Sequence, residues 1–130
     1  MDLSKFTERS RGFIQAAQTI ATRDNHQRLT PEHILKALLD DDQGLAANLI
    51  AASGGDLGRV TDALELALGK MPKVSGDAAQ VYLDNATTKV LDDAAALAKK
   101  AGDSFVPVER ILMALCMVKS GAKTALEAGK

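Results

Sequence analysis

The sequence is poor in aromatic side chains. They make up 3% of 130 residues: Phe6, Phe13, Tyr82 and Phe105, with no tryptophan. Any core must therefore come from Leu, Ile, Val and the many Ala, and Ala-rich faces favour close helix-on-helix contact. Cysteine is almost absent too. Cys116 stands alone, which excludes an internal disulfide and fits a reducing compartment. Neither sign of charge dominates: the formal net charge is −1, with both signs mixed along the chain. No Lys/Arg block offers an electrostatic footprint for nucleic acid or an anionic membrane. No apolar stretch approaches the ~20 residues of a membrane span. Met1-Asp2-Leu3-Ser4-Lys5 lacks the apolar region of a signal peptide. These absences lead us to expect a cytoplasmic protein, monomeric by default, that binds neither nucleic acid nor membrane.

Catalytic patterns are missing as well. There is no G-x-x-x-x-G-K-[ST] phosphate loop, since Gly69-Lys70 is followed by Met71 and position 64 is Leu. G-x-G-x-x-G, C-x-x-C and H-E-x-x-H do not occur, and no serine sits in a pattern that would activate it. We expect no enzyme, no bound cofactor and no metal. His33 is expected to be a surface or partly packed residue. Cys116 lies in the apolar run Ile111–Val118, where it is expected to be a small buried hydrophobe. Asp40-Asp41-Asp42 reads as the start of a solvated loop.

Helical periodicity is what the chain has in abundance. Ser10, Phe13, Ile14, Ala17, Ile20 and Ala21 recur at spacings of three and four, which predicts a helix from about Thr7 to Thr22. Thr7 is a fitting N-cap. Thr30-Pro31-Glu32-His33 is the strongest start signal: a capping Thr, Pro in the first helical position, Glu where the dipole favours it. A third helix follows Gly44 and ends at Gly54-Gly55. Asp56 caps a fourth that stops at Gly69. Five helices read clearly, and a short one is cut off at the end. The stretch from Lys70 to Gln80 reads as a long loop.

The second half repeats the first. A shift of 77 residues, the distance from Ile14 to Leu91, aligns them without a gap. Phe13 falls on Val90, Ala17 on Ala94, Ile20 on Leu97, Glu32 on Glu109, Leu38 on Leu115, Gly44 on Gly121 and Thr7 on Asp84. A duplication of this kind implies two helical units about a pseudo-two-fold axis. The expected organisation is one all-α domain over 1–130: repeat one at about 4–69, a linker at about 70–82, and repeat two at about 83–130. Repeat two lacks the partner of the fourth helix, so the chain is expected to come from a longer protein.

Asp103 and Glu109 form the best candidate site. They flank a loop, Gly102 to Arg110, that turns into a helix. Each has two readings. In one, Asp103 supports the loop and Glu109 complements the helix dipole. In the other, both rim a groove that holds peptide N–H groups or basic side chains.

Phe6-Thr7-Glu8-Arg9, Ala16-Ala17-Gln18 and Leu29-Thr30-Pro31-Glu32-His33-Ile34-Leu35 closely resemble the N-terminal domain of the Clp AAA+ unfoldase chaperones, itself a pair of Clp repeats. Lys70–Gly76, Gln80–Leu83 and Lys99–Val106 are similar to the ClpB-type disaggregase branch of that family. The resemblance implies a non-catalytic domain, tethered to a homohexameric ATPase ring that cooperates with the DnaK chaperone system. ATP and Mg would belong to that ring. The domain would bind unfolded or aggregated polypeptide and help pass it to the ring; the alternative is an adaptor-docking domain of the ClpA/ClpC-like kind. The family's substrate-engaging threonine, aspartate and glutamate fall on Thr7, Asp103 and Glu109. Leu91, Leu97 and Phe105 are the candidate apolar contacts; the other reading of each is plain core. The pattern departs at Asp93 and Arg110, where the family often carries leucine-like residues, and at Pro107, where it often has Ser or Thr.

Overall fold

The computed structural model describes residues 4–41, 44–71 and 82–129. Helix α1 (Glu8–Arg23) begins where Thr7 leaves extended backbone and its hydroxyl accepts the Ser10 N–H at 3.1 Å. Strand β1 (Arg28–Leu29) leads into α2 (Pro31–Leu39), which opens on proline as its start signal requires. Gly44, at φ 66°, precedes α3 (Leu45–Ala52), and Asp56 caps α4 (Leu57–Gly69) through the Arg59 N–H at 3.2 Å. Strand β2 (Tyr82–Leu83), α5 (Asn85–Lys100), α6 (Val108–Met117) and α7 (Gly121–Ala128) complete the order. The described residues thus hold seven helices, not five and a fragment. The apolar run at 111–118 belongs to a helix of its own. The last helix closes normally, with the Gly129 N–H donating to the Leu126 carbonyl at 3.2 Å. Most of the expected loop, 72–81, lies outside the described residues.

The duplication is visible element by element. Helices α1 and α5 are both 16 residues long, and α5 starts 77 positions after α1. Helices α2 and α6 start at Pro31 and Val108, again 77 apart. Paired positions share one environment: Ile14 and Leu91, Ala17 and Ala94, Ala21 and Ala98, Ala37 and Ala114 are all buried. Alanine at these crossings lets the helix axes approach closely. Helix α4 packs across the units on α7 as well as on α2. It has no counterpart among the described residues.

Two short parallel pairings join the units, and sequence reading missed both. Leu29 pairs with Leu83, and Phe6 pairs with Val106. The shift of 77 carries Phe6 onto Leu83 and Leu29 onto Val106, so one pairing is made twice with the roles exchanged. Each is locked by the same bonds. The Asp84 N–H donates to the Leu29 carbonyl at 3.1 Å, as the Thr7 N–H does to that of Val106 at 3.0 Å. The Thr87 hydroxyl donates to the Leu29 carbonyl at 2.6 Å, and the Ser10 hydroxyl to that of Val106 at 2.9 Å. Ser10 and Thr87 are both fully buried. A buried hydroxyl on an apolar helix face is tolerated because it supplies the second donor a buried carbonyl needs.

Cys116 is exposed, contrary to the expectation from its apolar run. An eight-residue run cannot all face inward on one helix. Val108, Ile111, Leu112, Ala114 and Leu115 of α6 face the core, and Met113, Cys116 and Met117 fall on the outer side.

Candidate functional site

The loop between α5 and α6 is held at both ends. Gly102, at φ 83°, makes the turn out of α5, and the Asp103 N–H returns to the Ala98 carbonyl at 2.9 Å. Val106 is tied to Phe6 and buried. Because neighbouring residues of extended chain point to opposite sides, Phe105 is turned outward, with 56% of its surface exposed. Arg110, in the first turn of α6, reaches back to Asp103, with Nε to Oδ2 at 3.2 Å. Beside Phe105 lies a depression of about 590 Å³ lined by Lys5, Ala95, Lys99, Asp103 and Ser104.

Unit one builds the same clasp from other chemistry. The positions 77 residues before Asp103 and Arg110 are His26 and His33, and these two rings meet, Nδ1 of His26 to Nε2 of His33 at 2.7 Å. The Thr30 N–H donates to His33 Nδ1 at 3.0 Å. A backbone N–H can only donate, so Nδ1 carries no proton and the neutral ring holds it on Nε2, aimed at His26. His33 is completely buried, which corrects the expectation of a surface or partly packed residue. Burial first, and then the neighbouring His26, pushes its pKa down to about 4. It packs there because it serves as the acceptor of a capping box at the start of α2.

The residues singled out from sequence divide three ways. Thr7 is half-buried and already engaged: its hydroxyl accepts the Ser10 N–H and donates to Ser10 Oγ at 2.9 Å. Asp103 is clasped by Arg110 and shares the depression with Phe105. Glu109 is exposed and borders a different hollow, lined by Leu49, Ile50, Ser53, Met113 and Cys116. The backbone bond from Thr7 to Val106 brings Thr7 to the loop, but Asp103 and Glu109 face separate depressions. Leu97 is partly buried against the core. Leu91, at 2% exposure, is core like its partner Ile14 and offers no contact surface, which corrects its choice as a candidate. The two charges that depart from the expected apolar pattern are both paired: Asp93 with Lys89 at 3.2 Å, and Arg110 with Asp103.

Glu32, the partner of Glu109, is used differently. Its Oε1 accepts the Ala122 N–H at 3.3 Å at the start of α7, and burial pushes its carboxyl up from the usual range. Gly121 leaves room for it; a Cβ there would meet Glu32 Cδ at 2.9 Å. One glutamate of the repeated pair therefore joins the units, and the other faces solvent. Among the described residues, no three His, Cys, Asp or Glu side chains gather as a metal site. No described helix is long and apolar enough to cross a membrane.

The model of the Clp repeat (R) N-terminal domain matches residues 5–128. The chain belongs to the Clp repeat N-terminal domain family. It is 59% identical over 125 residues to the chaperone protein ClpB of Mesorhizobium japonicum, and 57% identical over 125 residues to that of Brucella suis. Each alignment takes in 96% of this chain and 14% of the relative, so the Clp repeat chain spans a small part of those chaperones' length. The Hsp104 N-terminal domain of Candida albicans has the same fold: TM-score 0.86, 23% identity, covering 97% of this chain and 83% of that one. A ClpV N-domain solved in complex with a VipB peptide superposes with TM-score 0.72 at 18% identity, covering 99% of this chain and 83% of that one. No phosphate-loop string occurs in the chain.

Proposed function

We propose that this domain captures unfolded or aggregated polypeptide for a ClpB-type disaggregase and hands it to that protein's ATPase ring. The parent would be a cytoplasmic homohexamer working with a DnaK-type chaperone. The observation that carries the reading is the set of exposed apolar side chains on the second unit, Phe105 on the loop and Met113 sharing a hollow with Glu109. Phe105, Glu109, Met113 and Met117 all stand exposed on the second of the two Clp repeats. Exposed methionine and aromatic side chains suit capture of varied sequences, because thioethers and rings adapt to many apolar partners. Thr7 and Asp103 fix the loop that carries Phe105, and Glu109 makes direct polar contact with the client. Binding is weak, as it must be for a client that is next passed on.

A specific observation favours adaptor docking as the second reading. Between α1 and α2 lies an open groove lined by Arg9, Gly12, Phe13, Ala16, Thr19 and Asp41. At the equivalent place unit two carries the Lys89–Asp93 ion pair, where unit one has Gly12 and Ala16. The peptide-bound ClpV N-domain makes such a groove a second place to look.

Backbone amide NMR during titration with a permanently unfolded polypeptide separates the two. Shifts on Phe105, Glu109 and Met113, reduced in Glu109→Ala, support client capture. Shifts confined to Gly12 and Ala16, or none, reject it.

A further inference from the structure

The chemistry of the Phe105 depression selects among clients, an inference that rests on the client-capture reading above. Asp103 is its only carboxylate among the described lining residues, and Asp103 is engaged by Arg110. The repeat shows what that engagement is for. The equivalent positions in unit one hold the buried His26–His33 contact, which ties the loop before α2 to the first turn of that helix. Two chemically unrelated pairs at one structural position share the architecture and not the charge. The common task is holding the loop, so Asp103 acts through Arg110 and Phe105 rather than on the client.

What then faces a bound chain is cationic. Lys5 and Lys99 both line the depression and are exposed, and neither makes an ion pair among the described residues. Lys99 sits in the last turn of α5, where the helix dipole also favours a cation. Lys5 comes from the other unit, and its carbonyl accepts the Val106 N–H at 2.7 Å, which fixes its backbone beside Phe105. An exposed ring flanked by two lysines fits an apolar side chain with a carboxylate next to it.

We propose that the Phe105 depression is a subsite for client segments in which an aromatic or aliphatic residue is flanked by Asp or Glu. Lys5 and Lys99 supply the charge recognition, and Asp103 is a positioning residue. Two fluorescein-labelled, unstructured peptides with the same Phe-Leu centre test it, one flanked by Glu and Asp, the other by Lys and Arg. Anisotropy titration should show the acidic peptide binding about fivefold more tightly at low ionic strength, a difference that salt removes. Lys5→Glu with Lys99→Glu should reverse the order, and Phe105→Ser should weaken both peptides. The exchange Asp103→Arg with Arg110→Asp should restore the acidic preference lost in Asp103→Asn. Equal or inverted affinities in the parent domain, or no recovery in the exchanged pair, overturn the proposal. The NMR titration separates the two levels. If the unfolded polypeptide still shifts Phe105 and Glu109, client capture stands and only the acidic preference falls. If it shifts neither and neither peptide binds, both fall.

Discussion

Acidification should destabilise this domain well above the pH at which carboxylates titrate. The cause is His33. It is fully buried, its pKa is pushed down to about 4 from 6.5, and its unprotonated Nδ1 is needed by the Thr30 N–H. Between those two values the unfolded chain binds a proton that the folded ring refuses, so stability falls as pH falls. The slope is ~1.4 kcal/mol per pH unit below about 6, and the full depression is worth about 3 kcal/mol. That is a large part of the ~5–15 kcal/mol by which a domain of this size is stable. Asp24 opposes the effect weakly through its charge. Glu32, with its raised carboxyl, has the opposite sign and gains a proton on folding only towards the acid end. Urea unfolding followed by circular dichroism, at half-unit steps from pH 7 to pH 4.5, measures the slope directly. His33→Gln isolates the source. Its amide can accept from the Thr30 N–H and donate to His26, yet it does not titrate. The variant should therefore flatten the profile between pH 6.5 and 5 at a modest cost in stability at pH 7. A flat wild-type profile, or an unchanged slope in His33→Gln, would refute the reasoning.

Other outcomes follow from the same geometry. Ser10→Ala and Thr87→Val each strip a donor from a buried carbonyl and should each cost about 1–3 kcal/mol in urea unfolding, the equivalence itself testing the pseudo-symmetry. Leu91→Ala should cost about 3 kcal/mol as a core cavity, with any loss of client binding tracking the unfolded fraction. Cys116 should react fully with a thiol reagent in the folded state. Its rate at pH 7 should fall below that of an unstructured cysteine peptide, because partial desolvation by its neighbours pushes the thiol up more than Lys123 pulls it down.

Much of this architecture was legible in the chain because it is local. The spacing of Ile14, Ala17 and Ala21, the Thr30-Pro31 start and the Asp56 cap each act within a turn or two, so their helices could be placed to within a residue or two. The duplication was legible for the same reason: it is a property of one string compared with itself. The candidate loop at 102–110 could be named, but whether its aromatic, Phe105, faces the core or solvent could not. Which of its carboxylates remains available could not. Asp103 and Glu109 are alike in sequence, and only the packed fold turns Arg110 onto one and leaves the other in solvent.

Tertiary structure alone decided the rest. His33 passes for a polar residue in a first turn until His26, seven positions away, is folded against it. Ser10 and Thr87 look like ordinary helix positions until the partner unit brings a carbonyl to each. The two parallel pairings join residues 100 and 54 positions apart, from Phe6 to Val106 and from Leu29 to Leu83, and no local propensity signals them. Periodicity and capping are written into neighbouring residues, whereas burial, protonation and the pairing of polar groups depend on what the other half of the chain brings to the same place.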